Sequence, residues 1–169
     1  FYGVVAEEEV PEVRIQHRGD PESEKGVPLA PGTLSLLTPI ESELADLDST
    51  EGERRAALAE WITHPDNPLT PRVIVNRLWH WHFGRGLVDT PSDFGLGGGR
   101  PSHPELLDWL AGELIRADWS LKAIHRLILT SETYRQQSLH SSDSPGVAID
   151  AGNRYLWRQN PRRIEAEAV

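Results

Sequence analysis

The most constraining feature of the sequence is the stretch TPRVIVNRLWHWHFGRGLVDTPSDFG, at residues 70–95. Thr70 is a good N-cap residue, and Pro71 suits the first helical position, where no backbone N–H is needed. Gly84 supplies a C-terminal stop. The stretch therefore predicts a helix over residues 71–83, followed by a turn-rich exit. Its apolar residues make it a central helix, with the expected stripe Ile74, Leu78 and Trp81, widened by Val75, Trp79 and Phe83.

Other helices are predicted from their start signals. Ser49 or Thr50 can cap a helix over about 52–63, and the pattern Ser102-x-x-Glu105 is typical of a capping box. The helix that starts there runs to about Ala117. Ser120 then caps a fourth helix over 121–131. The apolar positions expected to face inward are Ala57, Leu58, Trp61 and Ile62 in the first, Leu106, Leu107, Leu110, Leu114 and Ile115 in the third, and Leu121, Ile124, Leu127 and Ile128 in the fourth.

These helices predict a mainly α fold, an antiparallel helical bundle with a short extended N-terminal arm, because short links favour antiparallel neighbours. Residues 1–50 are expected to form the arm, with one period-2 strand at 12–18. Residues 51–169 are expected to form the helical domain, truncated at a last helix that begins at Pro161. The stretch 138–152 is predicted to be a loop from its composition, and residues 153–159 a short helix or turn.

Composition excludes several classes of function. The sequence has no Cys, which excludes disulfides, thiolate nucleophiles and Cys-ligated metals. Residues 1–60 hold 14 acids and 5 bases, whereas residues 61–169 hold 12 of each. This acidic arm and neutral body argue against a nucleic-acid partner, which needs a basic surface. No run of apolar residues reaches the length of a membrane span.

Polar residues on and after the central helix are the candidate ligand-binding residues. They are Asn76, Arg77, Asp93, His103, Glu105 and His125. Two interpretations remain open for them: a buried polar network, in which Arg77 pairs with Asp89, Asp93 or Glu105, or a ligand-binding cluster in one cleft. No catalytic residue is assigned, because the sequence has no recognisable nucleophile with a base.

If His80 and His82 lay in a β-strand, their spacing would place both side chains on one face, where they could bind one metal ion. On a helix the two side chains are about 200° apart, so we expect structural roles and no metal site. The glycine-rich run after Asp93 lacks the residues of a phosphate-binding loop and predicts a flexible turn. The tryptophans could line a sugar-binding platform, although their spacing with Leu and Ile favours a core.

The sequence of residues 68–138, together with the closing stretch NRYLWRQNPRRIEAEAV, resembles a planctomycete-type domain of unknown function. The matching positions are Asn76-Arg77, Trp79, Phe83-Gly84, Gly86-Leu87-Val88, Asp93-Phe94-Gly95, His103 to Asp108, His125-Arg126, Thr133 to Arg135, Asn153-Arg154, Trp157 and Arg162-Arg163. The resemblance implies a C-terminal place in a large exported or cell-envelope protein that often carries cytochrome-c-like domains. Haem is therefore expected in a neighbouring domain, and no cofactor in this segment.

Two functional hypotheses follow. The first is a structural or interaction module, whose partners are other domains of the same chain. The alternative is a ligand-binding or hydrolytic domain acting on glycans, with polysaccharide as its partner. The sequence leaves open whether the chain is an enzyme.

Overall fold

The computed structural model describes residues 10–20, 26–34, 44–139, 141–142 and 144–161. These residues contain five α-helices and no named strand, so the prediction of a mainly α fold is confirmed. The helices are α1 (Glu51–Thr63), α2 (Thr70–Phe83), α3 (Pro104–Arg116), α4 (Leu121–Thr130) and α5 (Pro145–Ile149). The chain divides into two compact units, Phe1–Pro68 and Leu69–Val169.

The first unit contains α1, which starts with the predicted capping interaction. The Glu53 amide donates to the Thr50 hydroxyl, and Glu53 Oε2 accepts from the Thr50 amide at 2.8 Å. These hydrogen bonds favour the ionised carboxylate and lower the pKa of Glu53. None of the side chains of α1 is buried, and Leu58 and Ile62 of its expected apolar face are 43% and 40% exposed.

The predicted strand at 12–18 is reduced to one antiparallel bridge between Arg14 and Pro28. The Leu29 amide donates to the Val13 carbonyl at 2.8 Å beside it. Proline has no N–H to offer a ladder, which limits pairing at this point. A short 3-10 turn, His17–Gly19, follows the bridge.

The second unit is built on α2. Its N-cap is Leu69 rather than the predicted Thr70, which lies inside the helix, and no side chain caps this end. Pro71 occupies the first turn as expected. The helix ends as predicted at Gly84, whose φ of 78° is left-handed and whose amide donates to the His80 carbonyl at 2.7 Å.

The core of this unit lies between α2, α3 and α4, which pack against one another. Its buried members are Val75, Leu78, Trp79, Phe83, Leu87, Val88, Leu107, Leu110, Ala111, Leu114, Ile124 and Ile128. Trp81 was expected in the inward stripe but is 59% exposed. The helical period explains the error, because a core face centred on Val75 and Trp79 turns position 81 away. Leu121, at the first position of α4, is also largely exposed, at 46%.

The starts of α3 and α4 differ in one respect from the prediction. Ser120 caps α4, accepting from the Ala123 amide at 3.4 Å. The capping box at α3 is absent, because His103 is the N-cap and makes no side-chain capping bond. The Ser102 hydroxyl is instead used by the preceding loop, where it donates to the Leu87 carbonyl at 3.3 Å.

The segment after α4 holds one helix that composition did not predict. Residues 145–149 form α5, with Pro145 at its first position, inside the predicted loop. Residues 153–159 form turns, as one of the two predicted options. The helix predicted to begin at Pro161 falls on residues 162–169, outside the described part of the chain.

Candidate functional site

Asn76 is the most deeply placed of the six candidate residues. It is fully buried on α2, and its amide contacts the backbone of Val88 twice. Asn76 Nδ2 donates to the Val88 carbonyl and Asn76 Oδ1 accepts from the Val88 amide, each at 2.9 Å. The side chain thus supplies both hydrogen bonds that a neighbouring strand would give to Val88, and it holds the loop after α2 against the helix.

Gly86 makes this contact sterically feasible. A Cβ atom on Gly86 would lie 2.3 Å from the Val88 carbonyl oxygen and 2.8 Å from both terminal atoms of Asn76. No side chain fits there without displacing the amide. Asn76, Gly86 and Val88 therefore form one structural unit, which we call the amide clamp.

Asp93 lies in the glycine-rich loop and serves its local geometry. Its Oδ1 accepts from the Gly95 amide at 2.8 Å, and the Thr90 hydroxyl donates to the Asp93 carbonyl at 2.7 Å. The Gly99 amide donates to the same Thr90 hydroxyl at 2.8 Å. A Cβ on Gly98 would lie 2.2 Å from the Asp93 carbonyl oxygen. The loop is thus a closely packed turn, whose Gly95 and Gly99 amides are used internally.

Arg77 is exposed rather than part of a buried network. Its Nη2 donates to the Ser92 hydroxyl at 3.1 Å, so the predicted pairing with Asp89, Asp93 or Glu105 is wrong for the described residues. Asp89 pairs instead with Arg85 at 2.7 Å. The Ser92 hydrogen bond attaches the loop to α2.

His103 and Glu105 lie at the start of α3. The His103 ring pairs with the Ser102 hydroxyl through Nδ1 at 2.9 Å, and its edge meets the Tyr155 ring with centroids 5.9 Å apart. Glu105 is exposed in the first turn of the helix, where a carboxylate interacts favourably with the helix dipole.

His125 pairs with His82. Nε2 of His82 on α2 and Nδ1 of His125 on α4 are 2.8 Å apart, and the two rings are nearly perpendicular, at 76°. The Tyr134 ring meets the edge of His82, with centroids 5.8 Å apart. His80 does not join this pair, and its buried Nδ1 makes no hydrogen bond within the described residues. The expected divergence of His80 and His82 is therefore what the helix produces.

The segment 150–160 holds a polar cluster that the sequence reading did not select. The Asp150 carboxylate accepts from the Arg154 and Tyr155 amides at 2.8 and 2.7 Å. Asn153 is 3% exposed, and its Nδ2 donates to the Arg158 carbonyl at 2.7 Å. Its φ of 51° is left-handed. The signal was present in the sequence, since Asp and Asn beside Gly152 are typical turn residues that tolerate this conformation.

Arg154 joins this segment to the loops on either side of the glycine-rich turn. Its Nη2 donates to the Arg100 carbonyl at 2.9 Å and its Nη1 to the Gly86 carbonyl at 3.5 Å. Leu156 packs against the core beside it. The guanidinium thus fixes the C-terminal turns to the amide clamp.

Two carboxylates near Arg154 have lowered pKa values. The hydrogen bond from Arg85 is the largest cause for Asp89, and the backbone hydrogen bond from Tyr155 is the largest for Asp150. The charges of Arg85 and Arg154 lower both pKa values further. Both groups are therefore held ionised by contacts that also shape the loops.

A small cavity lies beside this cluster, with a volume of about 20 Å³, which is enough for one water molecule. Its walls include Phe83, Gly86, Ser102, Asn153 and Arg154, and none of the six candidate residues lines it. Within the described ranges, no three His, Asp or Glu side chains come together as a metal site. Among the same residues, no helix combines the length and apolar character of a transmembrane span.

The fold and these contacts define a small helical domain whose loops are held by polar side chains, of which Asn76 and Asn153 are buried. The chain belongs to the PSD1 family, described as "Protein of unknown function (DUF1553)", whose model matches residues 54–169. No curated protein and no solved structure matches the chain significantly.

Proposed function

We propose that this chain is a non-catalytic helical module that packs against other domains of a larger exported protein. The observation that carries the proposal is the use of the candidate polar residues. Asn76, Asp93 and His125 each bind a neighbouring group of the same fold, and so do Arg77 and His103. Side chains committed in this way stabilise the fold rather than meet a substrate.

The outer surface of the second unit supports the interaction role. Trp109 on α3 is 46% exposed, and Leu96, at the tip of the glycine-rich loop, is fully exposed. The loop beneath Leu96 is closed by the Thr90 and Asp93 hydrogen bonds, so the side chain is presented on a preformed turn. Preformed apolar contacts lower the entropy cost of association.

The experiment is a binding titration between the chain and a fragment that carries the other domains of the parent protein. We expect association that is weakened by Trp109→Ala and Leu96→Ser. The matched control is Lys122→Gln, which changes an exposed residue of α4 and should leave binding unchanged. Absence of association in the unmodified chain would overturn the proposal.

A glycan-binding role is the second candidate, and Trp109 is the observation that favours it. On α3, Glu105 and Glu113 lie four residues before and after the exposed indole, so carboxylates flank it along the helix. Aromatic faces stack on sugars, and carboxylates accept hydrogen bonds from hydroxyl groups. Trp79 is buried and Trp119 packs against the core, so these two do not extend a platform. Retention of the chain on insoluble polysaccharides would support this role if it is kept in Trp109→Phe and lost in Trp109→Ala.

Placement in the cell envelope, beside a haem-carrying domain, completes the proposal and rests on the resemblance of the sequence. Fractionation of cells that produce the parent protein, followed by detection of this segment, tests the location. We expect the segment in the envelope or the medium. A cytoplasmic location would contradict this part of the proposal.

A further inference from the structure

The outer face of α3 carries a glycine inside the helix, where alanine would be more favourable for helix stability. The space that a Cβ atom on Gly112 would enter is bordered by the guanidinium of Arg116. Nη1, Nη2 and Cζ of Arg116 lie 3.3, 3.6 and 3.7 Å from that Cβ position. The glycine therefore lets the guanidinium lie close against the helix backbone.

Glu113 holds this guanidinium in place. Its Oε1 accepts a hydrogen bond from Arg116 Nη2 at 2.6 Å, and the two side chains are 28% and 60% exposed, respectively. A guanidinium only donates hydrogen bonds and an ionised carboxylate only accepts them. The pair therefore presents donors and acceptors side by side at the surface.

Trp109 lies on the same face of α3. It precedes Glu113 by four positions and Arg116 by seven, a spacing that aligns the three side chains along the helix. The Trp109 side chain is 46% exposed. Seven helical residues span roughly 10 Å, which is longer than one sugar ring. The face thus combines an exposed aromatic surface with a fixed polar pair further along the helix.

We propose that Trp109, Glu113 and Arg116 form a binding site for a neutral polysaccharide chain of the β-linked glucan class. This inference rests on the glycan-binding role proposed above as the second candidate. The indole stacks on the flat C–H face of one sugar ring, and the polar pair binds hydroxyl groups of a neighbouring ring. Hydroxyl groups both donate and accept hydrogen bonds, so they match the two members of the pair.

The charges around Trp109 favour a neutral polymer over an acidic one. Glu113 balances the charge of Arg116, and Asp108, next to the indole, pairs with Arg72 at 2.7 Å. Glu105 adds a negative charge at the start of the helix. The face therefore has no excess positive charge to attract a polymer that carries carboxylates, which Glu105 would repel.

The test is retention of the full chain on microcrystalline cellulose, with cross-linked polygalacturonate as the acidic comparison. We expect retention on cellulose alone, with release by cellohexaose but not by glucose. Arg116→Lys keeps the charge but loses the planar fork, and should weaken retention roughly tenfold. Gly112→Leu leaves Arg116 in the sequence but fills the place of its guanidinium, and should weaken retention without lowering the melting temperature, because leucine favours the helix.

Arg135→Lys is the matched control. Arg135 forms an exposed ion pair with Glu132, three positions earlier, as Arg116 does with Glu113. This variant should be retained as the unmodified chain is.

Two failures are distinguishable. If cellulose does not retain the unmodified chain, this inference is wrong, and if no other insoluble polysaccharide retains it, the glycan-binding role is wrong as well. If retention requires Trp109 but is unchanged in Arg116→Lys and Gly112→Leu, or if polygalacturonate retains the chain as strongly, only the present inference is wrong.

Discussion

The amide clamp gives the sharpest quantitative prediction. Asn76→Ala removes both partners of the Val88 backbone, and Val88 is only 2% exposed. Water therefore reaches the freed N–H and C=O groups poorly. The substitution acts on a single buried contact, and alanine itself favours the helix, so the loss is due to the clamp.

The magnitude follows from the two orphaned groups. An unsatisfied buried donor or acceptor costs about 1–3 kcal/mol, and partial relaxation of the loop reduces the sum for two. We expect the free energy of unfolding to fall by about 2–4 kcal/mol, a large part of the ~5–15 kcal/mol of a typical domain. The melting temperature should fall by roughly 10 °C or more.

The assay is urea denaturation followed by circular dichroism. Arg77→Ala is the control, because it alters the adjacent, exposed position of α2 and removes one hydrogen bond to Ser92. We expect its effect to remain below about 1 kcal/mol. A loss of less than about 1 kcal/mol for Asn76→Ala would refute the reasoning about the clamp.

An isosteric variant, Asn76→Asp, tests the direction of each hydrogen bond. The introduced carboxylate still accepts from the Val88 amide but has no donor for the Val88 carbonyl. Burial and the facing carbonyl raise the folded pKa of this carboxyl above its unfolded value of about 3.9. Its destabilisation is therefore full at neutral pH and decreases as the pH falls toward 4. A destabilisation that is independent of pH would contradict the assignment of the two bonds.

Three further predictions concern the same loops. Gly86→Ala should destabilise the chain about as much as Asn76→Ala does. The double variant should lose less stability than the sum of the two single variants, because both substitutions disrupt the same contact. Gly52→Ala, where a Cβ meets nothing within 4 Å, is the control. In melting curves between pH 2 and 6, the unmodified chain should lose more stability on acidification than Asp150→Asn. Because the pKa of Asp150 is lower in the folded state, its ionised carboxylate stabilises the fold above the ordinary pKa of 3.8. This stabilisation is lost as the pH falls from 3.8 through the folded pKa. Identical pH profiles of the two chains would contradict this. Arg154→Lys should increase hydrogen exchange in residues 98–102 and 150–160, since one ammonium group cannot span the Gly86 and Arg100 carbonyls; unchanged protection would show that the guanidinium does not hold the turns.

The sequence predicted the helices well because their signals are local. The start of α1 follows from the Thr50 and Glu53 pair, and the end of α2 follows from the left-handed glycine at position 84. The capping box at Ser102 was wrong because a tertiary partner, the Leu87 carbonyl, takes the serine hydroxyl. Such competition between a local and a distant partner is not visible in a sequence pattern.

The candidate site was predicted less well, since polar residues do not reveal their partners. Asn76 on an apolar helix correctly indicated a buried polar contact, but its partner is the backbone of Val88 rather than a side chain. Arg77 faces away from the core because of its helical phase. The cluster at Asp150 and Asn153 was missed because turn residues indicate a turn but do not show which groups their side chains bind.

The measurement that tests the central claim most directly is the free energy of unfolding of three variants at the candidate site: Asp93→Ala, His103→Ala and His125→Ala. If these side chains serve the fold, each variant loses about 0.5–1.5 kcal/mol of stability, the net contribution of one hydrogen bond. Residues of a functional site commonly trade stability for activity, so their removal leaves stability unchanged or raises it. A series in which all three variants are as stable as the unmodified chain, or more stable, would contradict the account.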